Sequence, residues 1–97
     1  MRVKVRALGR LTEIIPWGDI ELTLEGKPSL EDLLRIIDME SKGKLLKIIM
    51  DENGFIKGEY IVLVNGLPVT GRVREVSLGE GDEIVILPPA SGGSINS

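Results

Sequence analysis

Ser29-Leu30-Glu31-Asp32-Leu33-Leu34-Arg35-Ile36-Ile37 is the stretch on which the fold turns. Leu30, Leu33, Leu34 and Ile37 recur at i, i+3, i+4 and i+7, the period of a helix with one buried stripe. Ser29 followed three residues later by Asp32 has the spacing of an N-terminal cap. Glu31 and Asp32 fall in the first turn, where negative charge suits the helix dipole. A helix of this kind must lay its apolar stripe on another element, and the flanking sequence offers strands on both sides.

Upstream, Arg2-Val3-Lys4-Val5-Arg6-Ala7-Leu8 alternates charged and apolar residues, a strand with Val3, Val5 and Ala7 turned inward. Ile20-Glu21-Leu22-Thr23-Leu24-Glu25 alternates again, and the two runs read as an antiparallel pair. Gly9 ends the first run and Pro16-Trp17-Gly18 marks a connection; the stretch between has room for part of each strand. Downstream, Leu45, Leu46, Ile48 and Ile49 predict a second, shorter helix, and Glu52-Asn53-Gly54 a turn. Tyr60-Ile61-Val62-Leu63-Val64 is apolar on both faces and reads as a strand covered on both. Asn65-Gly66 supplies a tight hairpin turn, and Leu67–Thr70 a short return limited by Pro68. After the turn Gly79-Glu80-Gly81-Asp82, Glu83-Ile84-Val85-Ile86-Leu87 is the last strand, stopped by Pro88-Pro89. The order predicts an α+β fold, one mixed sheet on one main helix plus a short helix. Residues 1–89 form one domain and residues 90–97 a flexible tail.

The composition narrows the chemistry. Ninety-seven residues, 42% of them apolar and 28% charged, suffice for one soluble domain with a modest core. There is no Cys, hence no disulfide, thiolate nucleophile or Cys metal site, and no His to act as a neutral-pH acid–base group or imidazole ligand. A net charge of −3 gives no drive toward nucleic acid or anionic lipid. Arg2, Lys4 and Arg6 interrupt any apolar N-terminal run, so no signal peptide is expected. The apolar runs are too short to span a bilayer, and a cytoplasmic protein is the expectation.

No pocket chemistry is visible. Glu31/Asp32, Asp51/Glu52 and Asp82/Glu83 are acidic pairs at turns and a helix start, where capping and solvation account for them. Gly79-Glu80-Gly81 lacks the length and following helix of a phosphate loop, and the lone Trp17 and Phe55 make no base-stacking platform. Leu87-Pro88-Pro89-Ala90-Ser91-Gly92-Gly93 stands apart. Its prolines keep the exit from the last strand extended, and Gly92 and Gly93 offer backbone slim enough for a narrow channel. From Leu87 to Gly93 the chain reaches roughly 20 Å at ~3.3–3.6 Å per residue.

Residues 2–93 resemble the ThiS/MoaD family of ubiquitin-like sulfur-carrier proteins. The resemblance is carried by Val62-Leu63-Val64-Asn65-Gly66, by Leu78-x-x-Gly81-Asp82-Glu83-Ile84, and by Leu87-Pro88-Pro89-Ala90-Ser91-Gly92-Gly93. The Pro-Pro-x-x-Gly-Gly ending is most similar to MoaD, the small subunit of molybdopterin synthase, and the Lys44–Glu59 crossing to its archaeal-type members. The resemblance implies a β-grasp fold and a protein that is not an enzyme on its own. On the same resemblance the chain would bind no cofactor itself. A ubiquitin-activating-like adenylyltransferase, using ATP and Mg, would adenylate the carboxylate of Gly93, and sulfur would replace the activated oxygen to give a thiocarboxylate. Pro88, Pro89 and Gly92 would thread the tail into the molybdopterin synthase large subunit, where the sulfur passes to a pterin precursor. Relatives serve instead as protein modifiers or in tRNA thiolation.

In the family the glycine pair ends the chain, whereas Ser94-Ile95-Asn96-Ser97 follows here, and an internal Gly93 carries an amide that cannot be adenylated. Trimming by a protease, an appended non-native ending, and loss of the carrier role all remain open at this level. The fold also implies a docking surface. With Arg2, Lys4 and Arg6 outward on the first strand, Val85 and Leu87 face outward on the last, joined by Val62 or Ile61 beside a basic rim. Two readings of another class stand beside the carrier: a TGS-like RNA-associated β-grasp module, disfavoured by charge, and a plain protein-interaction domain.

Overall fold

The computed structural model describes residues 1–15 and 17–88. Its strands are β1 (Arg2–Ala7), β2 (Asp19–Thr23), β3 (Ile61–Val64), β4 (Leu67–Pro68) and β5 (Glu83–Leu87); its α-helices are α1 (Leu30–Glu40) and α2 (Leu46–Ile49). The five strands form one sheet in the order β2-β1-β5-β3-β4, with β1 and β5 parallel and the other neighbours antiparallel. One face of the sheet grasps α1. This is the β-grasp, ubiquitin-like arrangement.

The alternation of β1 becomes geometry directly: Val3, Val5 and Ala7 are buried, while Arg2, Lys4 and Arg6 are exposed. Ile84 and Ile86 of β5 and Val62 of β3 complete the inner face, and Leu30, Leu33, Leu34 and Ile37 of α1 seal against it. The capping box is complete. Ser29 Oγ accepts from the Asp32 N–H at 3.2 Å, and Asp32 Oδ2 accepts from the Ser29 N–H at 2.8 Å. The helix start is tied down from outside as well, since the Leu30 N–H donates to the Val76 carbonyl at 2.8 Å.

Three expectations are corrected. The stretch after β1 does not extend the hairpin but winds into a 3-10 turn over Gly9–Glu13. Leu11 and, just after the turn, Ile15 are buried, so core filling wins over strand extension. The strand at 61–64 is covered on one face only: Val62 is buried, while Ile61 on the other face is 45% exposed. The return strand is shorter than Leu67–Thr70, spanning Leu67–Pro68: Pro68 has no N–H to give, and the Val69 N–H makes one last bond, to the Val62 carbonyl at 2.9 Å. A second short 3-10 turn, Val73–Glu75, was not signalled by any period; its Val73 reaches the core.

The link from α1 to α2 rests on a residue that sequence reading passed over. Asp38 accepts from the backbone N–H groups of Leu45 and Leu46 at 3.0 and 2.9 Å, satisfying donors at the start of α2. Among the described residues no helix is long and apolar enough to cross a membrane.

These contacts fix expected stabilities. Ser29→Ala should cost about 1 kcal/mol through the lost cap, and Leu34→Ala about 2–5 kcal/mol through the cavity under the sheet. Urea unfolding checks both. A Leu34→Ala loss no larger than the Ser29→Ala loss contradicts the described packing.

Candidate functional site: an apolar sheet face at the root of the tail

The site begins at the Asn65-Gly66 turn. Both residues are left-handed, with φ of 53° and 86°, as a two-residue hairpin turn between twisted strands demands. The Asn65 side chain does more than turn. Its Oδ1 accepts from the Glu83 N–H at 2.9 Å and its Nδ2 donates to Asp82 Oδ1 at 2.9 Å, while its backbone N–H donates to the Glu83 carbonyl at 2.8 Å. The other Asp82 oxygen accepts from the Gly79 N–H at 2.7 Å. The Val62–Gly66 and Leu78–Ile84 motifs are therefore one clamp, holding the start of β5 against the end of β3.

That clamp sets the register. Ile61 lies opposite Leu87 and Leu63 opposite Val85, all four on the face away from α1. On the other side of β5, Lys4 lies opposite Glu83 and Arg6 opposite Val85. An apolar quartet, Ile61, Leu63, Val85 and Leu87, thus occupies the outer sheet surface directly before Pro88. Val62, expected there from sequence, points the other way and is 1% exposed. Its parity follows from pairing with Ile86, itself buried. Ile61 and Leu63 take its place. In a run apolar at every position, sequence periodicity contains no parity, so only the register identifies them.

The rim beside this patch is mixed rather than basic. Arg6 Nε donates to Asp19 Oδ1 at 2.9 Å, and Arg2 lies 3.9 Å from Glu21. Asp19, by hydrogen bond and by charge, raises the Arg6 pKa further above its ordinary value, so Arg6 stays a cation. Lys4 stands in register between Glu21 and Glu83. The alternating cations of β1 are matched by acids of β2 and β5, which leaves no free basic stripe for a phosphate backbone.

The acidic pairs behave as caps and turn-formers. Asp32 caps α1, Asp51 accepts from the Asn53 and Phe55 N–H groups at 2.8 and 3.1 Å, and Asp82 belongs to the clamp. Among the described residues no group of three His, Cys, Asp or Glu side chains is placed to hold a metal ion, and the one buried polar residue is Ser41. Ser41 Oγ donates to the Asp38 carbonyl at 3.0 Å. What the geometry offers is a surface and a chain exit. Pro88 is half-buried at that exit; Pro89, Gly92 and Gly93, and with them Ser94–Ser97, lie outside the described residues.

Comparison with known proteins agrees with this architecture. The ThiS family model matches residues 5–93. Small archaeal modifier protein 1 of Methanosarcina acetivorans superposes with a TM-score of 0.69 at 27% identity, over 95% of this chain and 96% of that one. A chain in the complex of subunits 1 and 2 of the molybdopterin-converting factor of Helicobacter pylori gives 0.59 at 27% identity, over 96% and 100%. Urm1 of Sulfolobus solfataricus gives 0.60 at 26% identity, over 88% and 97%. No curated protein sequence matches the chain. The match through almost the whole length, on a β-grasp sheet that leads into a diglycine segment, places the chain in the ThiS family, as a ubiquitin-like sulfur carrier or modifier that is not an enzyme on its own.

Proposed function

We propose that this chain carries sulfur as a thiocarboxylate on Gly93 and delivers it in molybdopterin biosynthesis. The observation that carries this reading is the extent of the family match, which runs to residue 93 and so includes Gly92-Gly93. In the Helicobacter pylori structure, subunit 1 of the molybdopterin-converting factor is in complex with subunit 2, the kind of large partner the reading requires. The Pro-Pro-x-x-Gly-Gly segment points to the same branch.

The chemistry requires a chain that ends at Gly93, with a protease removing residues 94–97 first. The freed carboxylate attacks the α-phosphate of ATP on an adenylyltransferase, with Mg balancing the phosphate charge, and pyrophosphate leaves. Hydrosulfide then attacks the acyl adenylate, a C–S bond forms as the C–O bond to AMP breaks and the proton goes to solvent, so that one oxygen of the original carboxylate has been exchanged for sulfur. This chain's own part is to present the carboxyl group. The quartet Ile61, Leu63, Val85 and Leu87 docks on the partner, and Pro88, Pro89 and Gly92 lead Gly93 into its active site, in the cytoplasm. Burying such apolar side chains at the centre of an interface is where binding energy concentrates.

The likeness to small archaeal modifier protein 1 and to Urm1 supports a second use of the same activated carboxyl group. There a lysine amine of a target protein, instead of sulfur, would displace AMP. Both uses share adenylation and diverge at the nucleophile.

Residues 1–93, incubated with the activating enzyme, ATP, Mg and a sulfur donor, are expected to gain the mass of one oxygen-to-sulfur exchange at the C-terminus, read by intact-mass spectrometry. Adenylation without that exchange, combined with isopeptide-linked products in cell extract, would favour the modifier use instead. No adenylation at all would overturn the carrier reading.

A second expectation concerns the face. Ile61→Asp should weaken binding to the activating enzyme by roughly tenfold or more, the cost of a charge at an apolar interface centre. Met39→Asp, a 78% exposed position on α1 and away from the outer sheet face, should leave binding within about twofold, the scale of ordinary surface substitutions. Equal effects of the two substitutions would assign the docking face elsewhere.

A further inference from the structure

We infer that Gly9 is a positioning residue for the C-terminal segment: its bare Cα is the seat of the Pro88 ring, and the seat sets the direction in which the chain leaves β5. The inference rests on the reading of Gly93 as the activated residue.

Gly9 has φ +62°, which alone favours glycine. A Cβ there would stand 2.7 Å from Pro88 Cγ, 3.5 Å from its Cδ and 3.8 Å from its Cβ. The other left-handed glycines lack this second reason. Around Gly18, Gly26, Gly43, Gly66 and Gly81 a Cβ would find nothing within 4 Å, and at Gly54 it would meet Arg72 at an ordinary 3.8 Å. Gly9 is thus where two segments distant in sequence close on each other through a missing side chain.

Neither partner is free to retreat. On the Gly9 side, Thr12 Oγ1 donates to the Gly9 carbonyl at 2.8 Å, and Leu11 anchors the same turn in the core. The Leu8 N–H donates to the Ile86 carbonyl at 3.2 Å, holding the turn against β5 two residues before Pro88. On the other side, a proline ring is closed on its own backbone nitrogen. Its Cγ yields only by a change of pucker or by movement of the backbone. Gly93 lies five residues beyond Pro88, so a change of backbone at Pro88 enters the placement of the reacting carboxylate at its root. Misplacement of about 1 Å is enough to cost on the order of a hundredfold in rate.

The test uses residues 1–93. Because the chain has no Cys, the pair Glu40→Cys and Ser91→Cys takes two spin labels cleanly, one on α1 and one beyond Pro88. Gly9→Ala should shift and broaden the distance distribution, whereas Gly26→Ala, with the same backbone strain but open space, should leave it as in the parent. In the Pro88→Ala background the Gly9→Ala shift should vanish, since the ring it collides with is gone. With the activating enzyme, Gly9→Ala should lower kcat for thiocarboxylation roughly tenfold or more while KM stays near the parent value, because the docking face is untouched. A folded Gly9→Ala protein with the parent distance distribution overturns the inference. If Gly9→Ala does not fold, Pro88→Ala alone must shift the distribution, and an unshifted one overturns the inference equally. Failure of the unlabelled parent to be thiocarboxylated would overturn the carrier reading instead, while the distance measurement would still decide the role of Gly9.

Discussion

Everything in this molecule depends on β5 being hydrogen-bonded along both edges. It runs parallel to β1 on one side and antiparallel to β3 on the other, so a single strand fixes the inner face, the outer face and the point where the chain leaves the sheet. Side chains alternate with period two, and a slip of one residue would bring Glu83, Val85 and Leu87 into the core and expel Ile84 and Ile86. Burying those two isoleucines stabilises the native register by about 1.5–3 kcal/mol each. The Asn65 clamp adds a polar lock at the start of the strand, and the hydrogen bonds from Lys4 N–H to the Asp82 carbonyl and from Gly81 N–H to the Arg2 carbonyl add another from the β1 side.

The outer face that this register creates has two halves of different chemistry. Around β1 and β2 it is charged, with cations and acids in cross-strand register; around β3 and β5 it is apolar. Exposed ion pairs such as Arg6–Asp19 contribute only about 0–1 kcal/mol each to stability. Their greater consequence is for recognition. A partner docking on the apolar quartet would have to match a mixed charge pattern on one side of it, where mismatched charges cost more than matched ones gain. An apolar patch alone would bind many surfaces. Beside a patterned rim it would select one orientation.

Much of this was legible in the sequence, for a physical reason that can be read off particular residues. Wherever period and burial coincide, the reading holds: Val3, Val5 and Ala7, the stripe Leu30–Ile37, the cap Ser29/Asp32, and the turn at Asn65-Gly66 are all local signals with local causes. The failures lie where the cause is tertiary. Val62 could not be told from Ile61 because every residue from Tyr60 to Val64 is apolar, and only pairing with Ile86 breaks the tie. The 3-10 turn after β1 exists because Leu11 and Ile15 fill core space. The expected basic rim loses its charge excess to Asp19 and Glu21 of β2, which only the strand register sets beside Arg6 and Lys4.

The missing cysteine and histidine fit a division of labour between this chain and its partners. If Gly93 passes through an acyl adenylate, the most reactive species in the sequence of steps sits on a chain with no thiol and no imidazole of its own to intercept it. A carrier with no thiol or imidazole of its own leaves the choice of acceptor to whichever partner holds the tail. In such a design, aim takes the place of catalysis as the chain's own contribution. The structural features that then matter most are those at the root of the tail: the register of β5, the apolar quartet beside it, and the proline seated against a residue that has no side chain to push it away.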